Sequence, residues 1–307
     1  MPRETDKVIP LINKKILVVA LIVIAIGVIL IGITPQSKVS TLVNKVTGNT
    51  TSSHTDNLDF VTIIEGKRQT ISTLKKDLLF NITITYDKND NPRYVNIVGK
   101  PELSDFYRQV GFTNQSKDVV VVYPIFTQGA YGNHGFYDYY NKKCGIECLT
   151  VPIPTEFVPR YGASMTATIA LSLLNYSQIT DVQVDKNPDI LKKYHKVIIL
   201  HNEYVTKKEF DAITSHPNVI YLFPNALYAE VRTNYTNNVF TLVRGHGYPI
   251  ASISNGFDWK FDNSNLEYNI NCYNMTFTII PNGKMLNCYP AYRALFDKTF
   301  LEDIKNS

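Results

Sequence analysis

The stretch Lys196–Phe223, KVIILHNEYVTKKEFDAITSHPNVIYLF, decides how this chain reads. After Lys196 its next four residues, VIIL, are continuous and apolar, as in a strand buried on both faces of a parallel sheet. Thr206-Lys207-Lys208-Glu209 is a capping box, in which the threonine hydroxyl accepts from a backbone N–H and the glutamate reaches back to the cap. It predicts a helix to about Ser215, and Asn218–Phe223 then predicts a second strand. Strand, turn, capped helix and strand make the unit from which parallel α/β sheets are built.

Outward from there the same texture continues. Val119–Ile125 (VVVVYPI) predicts another buried strand, Tyr161–Tyr176 a helix, Val182–Val184 a short strand and Pro188–Tyr194 a short helix. The expected core is a doubly wound parallel sheet between Val119 and about Glu230. Upstream, LDFVTII, LFNITITY and RYVNIVG between Leu58 and Gly99 read as short alternating strands, with a turn at Asp87–Asn91. Downstream, Val239–Tyr289 reads as hairpin-like strands with Asn282-Gly283 as a turn signal. These boundaries give a β-rich segment over 58–115 and an α/β domain with a β-hairpin C-terminal part over 116–307.

Ile16–Ile33 runs eighteen residues without a charge, enough at about 1.5 Å per residue to cross most of a bilayer's hydrocarbon core. Lys14 and Lys15 at its start place residues 1–15 in the cytoplasm. The run is too long for a signal-peptide core, so the lipid bilayer is an expected partner through residues 16–34. Residues 35–57 read as a polar tether to an extracellular domain. In that oxidising setting four cysteines predict disulfides, most simply the local pairs Cys144–Cys148 and Cys272–Cys288; the spacing lacks the short paired pattern of a zinc site. Six N-x-[ST] sequons, at Asn49, Asn81, Asn114, Asn175, Asn234 and Asn274, are compatible with a glycoprotein.

With 44% hydrophobic and 19% charged residues, the composition supports a packed core. A net charge of +4 without an arginine-rich stripe argues against nucleic acid, and the lack of a glycine-rich phosphate loop argues against a nucleotide. No G-x-S-x-G elbow and no cysteine following a strand offers a nucleophile. Ligands of open α/β sheets bind beyond the carboxyl ends of the strands, where two loops fall. In His201-Asn202-Glu203-Tyr204, His201 and Glu203 are two apart and share a side. They can hold a metal or act as an acid/base pair, or merely tie down the turn. Thr127–Tyr140 (TQGAYGNHGFYDYY) offers Tyr131, Tyr137, Tyr139 and Tyr140 with Asn133 and His134, either as packing and carbohydrate-facing surface or as hard oxygen donors. His246, between two glycines, is a loop histidine within possible reach of a site.

Taken together, the H-N-E-Y element, Asn225 in Phe223-Pro224-Asn225, TQGAYGNHGFY at Thr127–Tyr137 and the Ser-x-x-Tyr at Ser104–Tyr107 resemble the large (β) subunit family of N,N-dimethylformamidase. The resemblance covers roughly Ser104–Glu230. Val205 stands where that family carries an aromatic residue, and Asn133 is displaced by one position. The resemblance implies a glutamine-amidotransferase-like (flavodoxin-like) fold and a mononuclear ferric ion acting on a small amide. Carried over by motif, Tyr107, Tyr131 and Glu203 would be the metal ligands, His201 an acid/base residue and Asn225 an orienting one. The other expectation is a catalytically silent envelope module of the same fold that binds a neighbour or a glycan through its tyrosine loop.

Overall fold

The computed structural model describes residues 42–43, 57–64, 67–86, 92–155, 162–269, 272–289 and 291–307. The expected cytoplasmic tail, the membrane anchor at 16–34, nearly all of the tether and the turn at Asp87–Asn91 lie outside the described residues. Among the described residues, no helix is long and apolar enough to cross a membrane.

Fifteen strands are described. They are β1 (Leu42–Val43), β2 (Asn57–Ile64), β3 (Lys67–Leu74), β4 (Phe80–Tyr86), β5 (Pro92–Gly99), β6 (Val119–Tyr123), β7 (Thr150–Pro152), β8 (Ser177–Thr180), β9 (Lys196–Ile199), β10 (Tyr204–Thr206), β11 (Val219–Tyr221), β12 (Ala229–Asn234), β13 (Val239–Arg244), β14 (Phe277–Ile280) and β15 (Gly283–Leu286). The helices are α1 (Ser104–Val110), α2 (Ile125–Ala130), α3 (Phe136–Tyr140), α4 (Gly162–Leu173), α5 (Asp181–Lys186), α6 (Lys207–Ser215) and α7 (Lys298–Asn306). The chain divides into two compact units. One includes residues 82–96 of the β4–β5 ribbon; the other holds all the elements that concern the site.

In that second unit β1, β2 and β3 form an antiparallel sheet, and a six-stranded sheet runs in the order β14-β15-β11-β9-β6-β8. Its five strands from β15 to β8 are mutually parallel, and β14 closes one edge antiparallel. The strand residues at its centre are buried on both faces. Val120, Val122, Val197, Ile199, Val219 and Tyr221 share one core with Val184 of α5, Ile213 of α6 and Leu191. By strand alternation Val121, Ile198 and Ile220, equally buried, face the other way. The Lys196 ammonium donates to the carbonyls of Ile304 and Lys305 and so closes the C-terminus of α7. A second sheet, β10-β12-β13-β7, starts from the residues directly after Glu203.

The mixed α/β class with a parallel sheet therefore stands, with three differences of detail. Val182–Val184 lies in a helix rather than a strand, because Thr180 and Gln183 form a capping box; the strand is the preceding Ser177–Thr180. The aromatic stretch after β6 is two short helices rather than a loop. The hairpin corner falls on Pro281-Asn282, one residue early, since Ile280 pairs with Gly283. Gly283 instead begins β15 at φ +150°, where a side chain would collide with the Val219 carbonyl of β11. The hairpin thereby joins the central sheet as two of its strands. Both local cysteine pairs, Cys144–Cys148 and Cys272–Cys288, are disulfides.

Candidate functional site

β6 and β9 deliver the two expected loops at their carboxyl ends. After β6, the Phe126 N–H donates to Asp181 of α5, which fixes the start of α2. The Tyr204 N–H donates to the Thr127 hydroxyl, binding α2 to the H-N-E-Y turn. Gly135 has no room for a side chain against the Ala130 carbonyl, and this close approach folds α3 back after α2. The His134 N–H donates to Asp138, itself paired with Lys143 at 2.9 Å, and the Cys144–Cys148 disulfide closes the following turn. The result is that Tyr131, directly after α2, and Tyr137 of α3 bring their rings to a centroid distance of 4.0 Å, tilted by 31°.

The H-N-E-Y turn is fixed just as firmly. The His201 N–H donates to Ser164 of α4, the Asn202 carbonyl accepts from Leu227, and the Glu203 carbonyl accepts from Tyr228 and Ala229. His201, Asn202 and Glu203 are fully buried. The Glu203 carboxyl accepts from the Tyr131 hydroxyl at 2.8 Å and from the Tyr137 hydroxyl at 3.2 Å, and the two phenol oxygens are 2.6 Å apart. Asn225 donates from one amide nitrogen to His201 Nε2 at 2.9 Å and to Glu267 at 3.2 Å. Because Nε2 accepts there, His201 Nδ1 carries the proton and donates to the Tyr289 hydroxyl, 3.2 Å away. The other amide atom, Asn225 Oδ1, is buried without a hydrogen-bond partner.

Burial sets the electrostatics. It pushes Glu203 up to about 8, helped by the nearby charge of Glu267 and opposed by the tyrosine donors. Burial drives His201 down to about 3 and His246 down to about 4. His201 and His246 lie 3.6 and 3.8 Å from the Glu203 carboxyl, but as neutral imidazoles they form no ion pair with it. Tyr137, Tyr204 and Tyr289 are held well above the ordinary phenol value, again by burial first.

The structure thus brings His201, Glu203, Asn225 and Tyr131 together and leaves Tyr107 elsewhere. The Tyr107 hydroxyl donates to the Leu79 carbonyl and accepts from the Lys100 N–H, and its ring stacks on Phe80. It is a clamp between β4 and α1 and does not join the Glu203 cluster. The second phenol beside Glu203 is Tyr137. It belonged to the aromatic stretch in the sequence, but nothing in the spacing chose it over Tyr139 or Tyr140. Glu267 and Tyr289 also join the site, from a part of the chain whose sequence carries no motif.

Among the described residues no group of three or more His, Cys, Asp or Glu side chains is arranged to hold a metal. The cluster here combines one carboxylate with phenols, which are hard donors suited to a hard cation. Two oxygens each about 2.0 Å from such an ion and at right angles lie about 2.8 Å apart. Two observed separations, 2.6 and 2.8 Å, are close to that distance, and the third, from Tyr137 to the shared Glu203 oxygen, is longer at 3.5 Å. In comparisons with known proteins, the chain matches no protein-family model and no curated protein sequence.

Proposed function

We propose that this chain is a membrane-tethered, extracellular hydrolase that cleaves the C–N bond of a small amide at a mononuclear ferric site held by Tyr131, Tyr137 and Glu203. The observation that carries the reading is the triangle of three oxygens, drawn from two loops at the carboxyl ends of adjacent parallel strands. The tether rests on the apolar run Ile16–Ile33, and the extracellular side on Lys14, Lys15 and the two disulfides.

A bound ferric ion would supply Lewis acidity, polarising the amide carbonyl and acidifying water. The protein's part is to orient. Asn225 Oδ1 is a buried acceptor with no partner, set to take an amide N–H. Its nitrogen is held by Glu267 and His201, so the acceptor cannot turn away. His201 stays neutral in its buried position; the Asn225 amide, donating to Nε2, fixes its tautomer, and Tyr289 holds its ring. Glu203, fully enclosed, is shielded from bulk water.

A second reading, a catalytically silent binding module, is favoured by one feature. The three oxygens already satisfy one another by hydrogen bonding. Metal analysis and visible spectroscopy of the purified chain separate the two. Stoichiometric iron, a phenolate-to-iron absorption lost in Glu203→Ala, and turnover of formamide or acetamide support the hydrolase. Absence of both bound metal and amide turnover leaves the binding module.

A further inference from the structure

Asn225 lies in the loop after β11, the strand that pairs in parallel with β9. Its loop is pinned on both sides. The Leu222 N–H donates to the Ile199 carbonyl of β9, and the Leu227 N–H donates to the Asn202 carbonyl of the H-N-E-Y turn at 2.8 Å. The residue is 2% exposed. A line of contacts joins its side chain to the oxygen triangle: His201 Nε2 is 3.6 Å from Glu203 Oε2 and 2.9 Å from Asn225 Nδ2. The imidazole between them is packed by the Phe223 and Tyr289 rings, at centroid distances of 5.1 and 5.2 Å, and those two rings meet at 4.7 Å. The Asn225 amide is thereby held in place relative to Glu203.

Its neighbours also set which way round it sits. The bare imidazole nitrogen and the Glu267 carboxylate both accept, so the end of the amide that faces them is the NH2 group. Oδ1, on the same carbon, is left buried with no hydrogen-bond partner among the described residues. A buried acceptor without a donor is costly to keep. A ligand that brings an N–H recovers that cost, whereas one that brings an alkyl group in its place leaves the oxygen unpaired and crowds it.

We propose that Asn225 Oδ1 makes this site selective for amides that carry an N–H, the primary and secondary amides, over N,N-dialkyl amides. This rests on the amide-hydrolase reading and names its substrate class. The substrate's carbonyl oxygen belongs at the triangle and its N–H at Oδ1. A tertiary amide offers the same carbonyl but has nothing to give Asn225.

N-Methylformamide and N,N-dimethylformamide, which differ by one methyl group, are the substrates for the test. With iron supplied, the detergent-solubilised full chain shows a kcat/KM at least about tenfold higher for N-methylformamide. Binding is read separately by calorimetry on the same chain, with N-methylacetamide bound at least about tenfold more tightly than N,N-dimethylacetamide. Asn225→Ala collapses both ratios toward unity, which a merely structural role would not do. If that variant fails to fold, the two ratios in the parent decide the matter alone. Ratios below tenfold in the parent, or ratios unchanged in Asn225→Ala, overturn the selectivity. Equal turnover of the two formamides removes the selectivity and leaves the hydrolase. Selective binding without turnover of either removes the hydrolase and leaves the selectivity, and neither binding nor turnover removes both.

Discussion

The Tyr131 hydroxyl donates to the Glu203 carboxyl at 2.8 Å across 72 residues of sequence. That bond joins the loop after β6 to the loop after β9, and Tyr137 completes it from the next short helix. Each element around it can be tested separately.

The choice of Tyr137 over Tyr107 is open to a direct comparison. With ferric ion supplied, Tyr137→Phe weakens and shifts the phenolate charge-transfer band, of which Tyr131 keeps a share, and Tyr107→Phe leaves it intact. Tyr107→Phe instead lowers stability by about 1 kcal/mol, because its hydroxyl links the Leu79 carbonyl to the Lys100 N–H. A band unchanged in Tyr137→Phe and altered in Tyr107→Phe would reverse the assignment.

Thr206 does two jobs at the start of α6. Its hydroxyl accepts from the Glu209 N–H and donates to the buried Asp185 at 2.6 Å. Thr206→Ala removes a cap and one of Asp185's donors, at a cost of about 1–3 kcal/mol in urea unfolding. Thr206→Ser, which keeps the hydroxyl, recovers most of it. No difference between the two variants would show that the hydroxyl is idle.

Behind the site, Asp181 and Glu209 are fully buried acids close enough to act on each other. Burial raises Asp181 to about 8 and holds Glu209 well above the carboxylate range, where the charge of Asp181 adds to the effect. In the fold these groups keep protons that the unfolded chain has released. Their contribution to stability therefore falls as pH rises from the ordinary carboxylate range toward about 8. Glu209→Gln removes one such titration, so its stability relative to the parent increases with pH between 5 and 8. Urea unfolding of both proteins across that range measures it, and a constant difference refutes it.

Gly283→Ala tests the junction between the hairpin and the sheet. The added methyl group meets the Val219 carbonyl at a φ that side chains rarely adopt, and the predicted loss is about 1–3 kcal/mol. Hydrogen exchange should quicken in Val219–Tyr221 and Gly283–Leu286 together, since they pair in parallel. Exchange that quickens only in the hairpin would mean the two strands are not coupled.

The chain's own residues determined the β–α–β core by local means. Continuous apolar runs such as VVVVY and the VIIL after Lys196 can be buried only between two covered faces, and the T-K-K-E box fixes a helix start within four residues. His201 and Glu203 were singled out because their turn follows KVIIL, at the carboxyl end of a parallel strand, whereas Asn225 came from the resemblance alone. Tyr107 misled because a matching motif says nothing about where a hydroxyl finds its partners, and this one finds them on Leu79 and Lys100. Only the tertiary structure could choose Tyr137 from four tyrosines, bring Glu267 and Tyr289 from the C-terminal part beside Asn225 and His201, and insert β15 next to β11. Those are long-range contacts. They depend on which buried surfaces fit one another, and a chain's local periodicity carries no record of that fit.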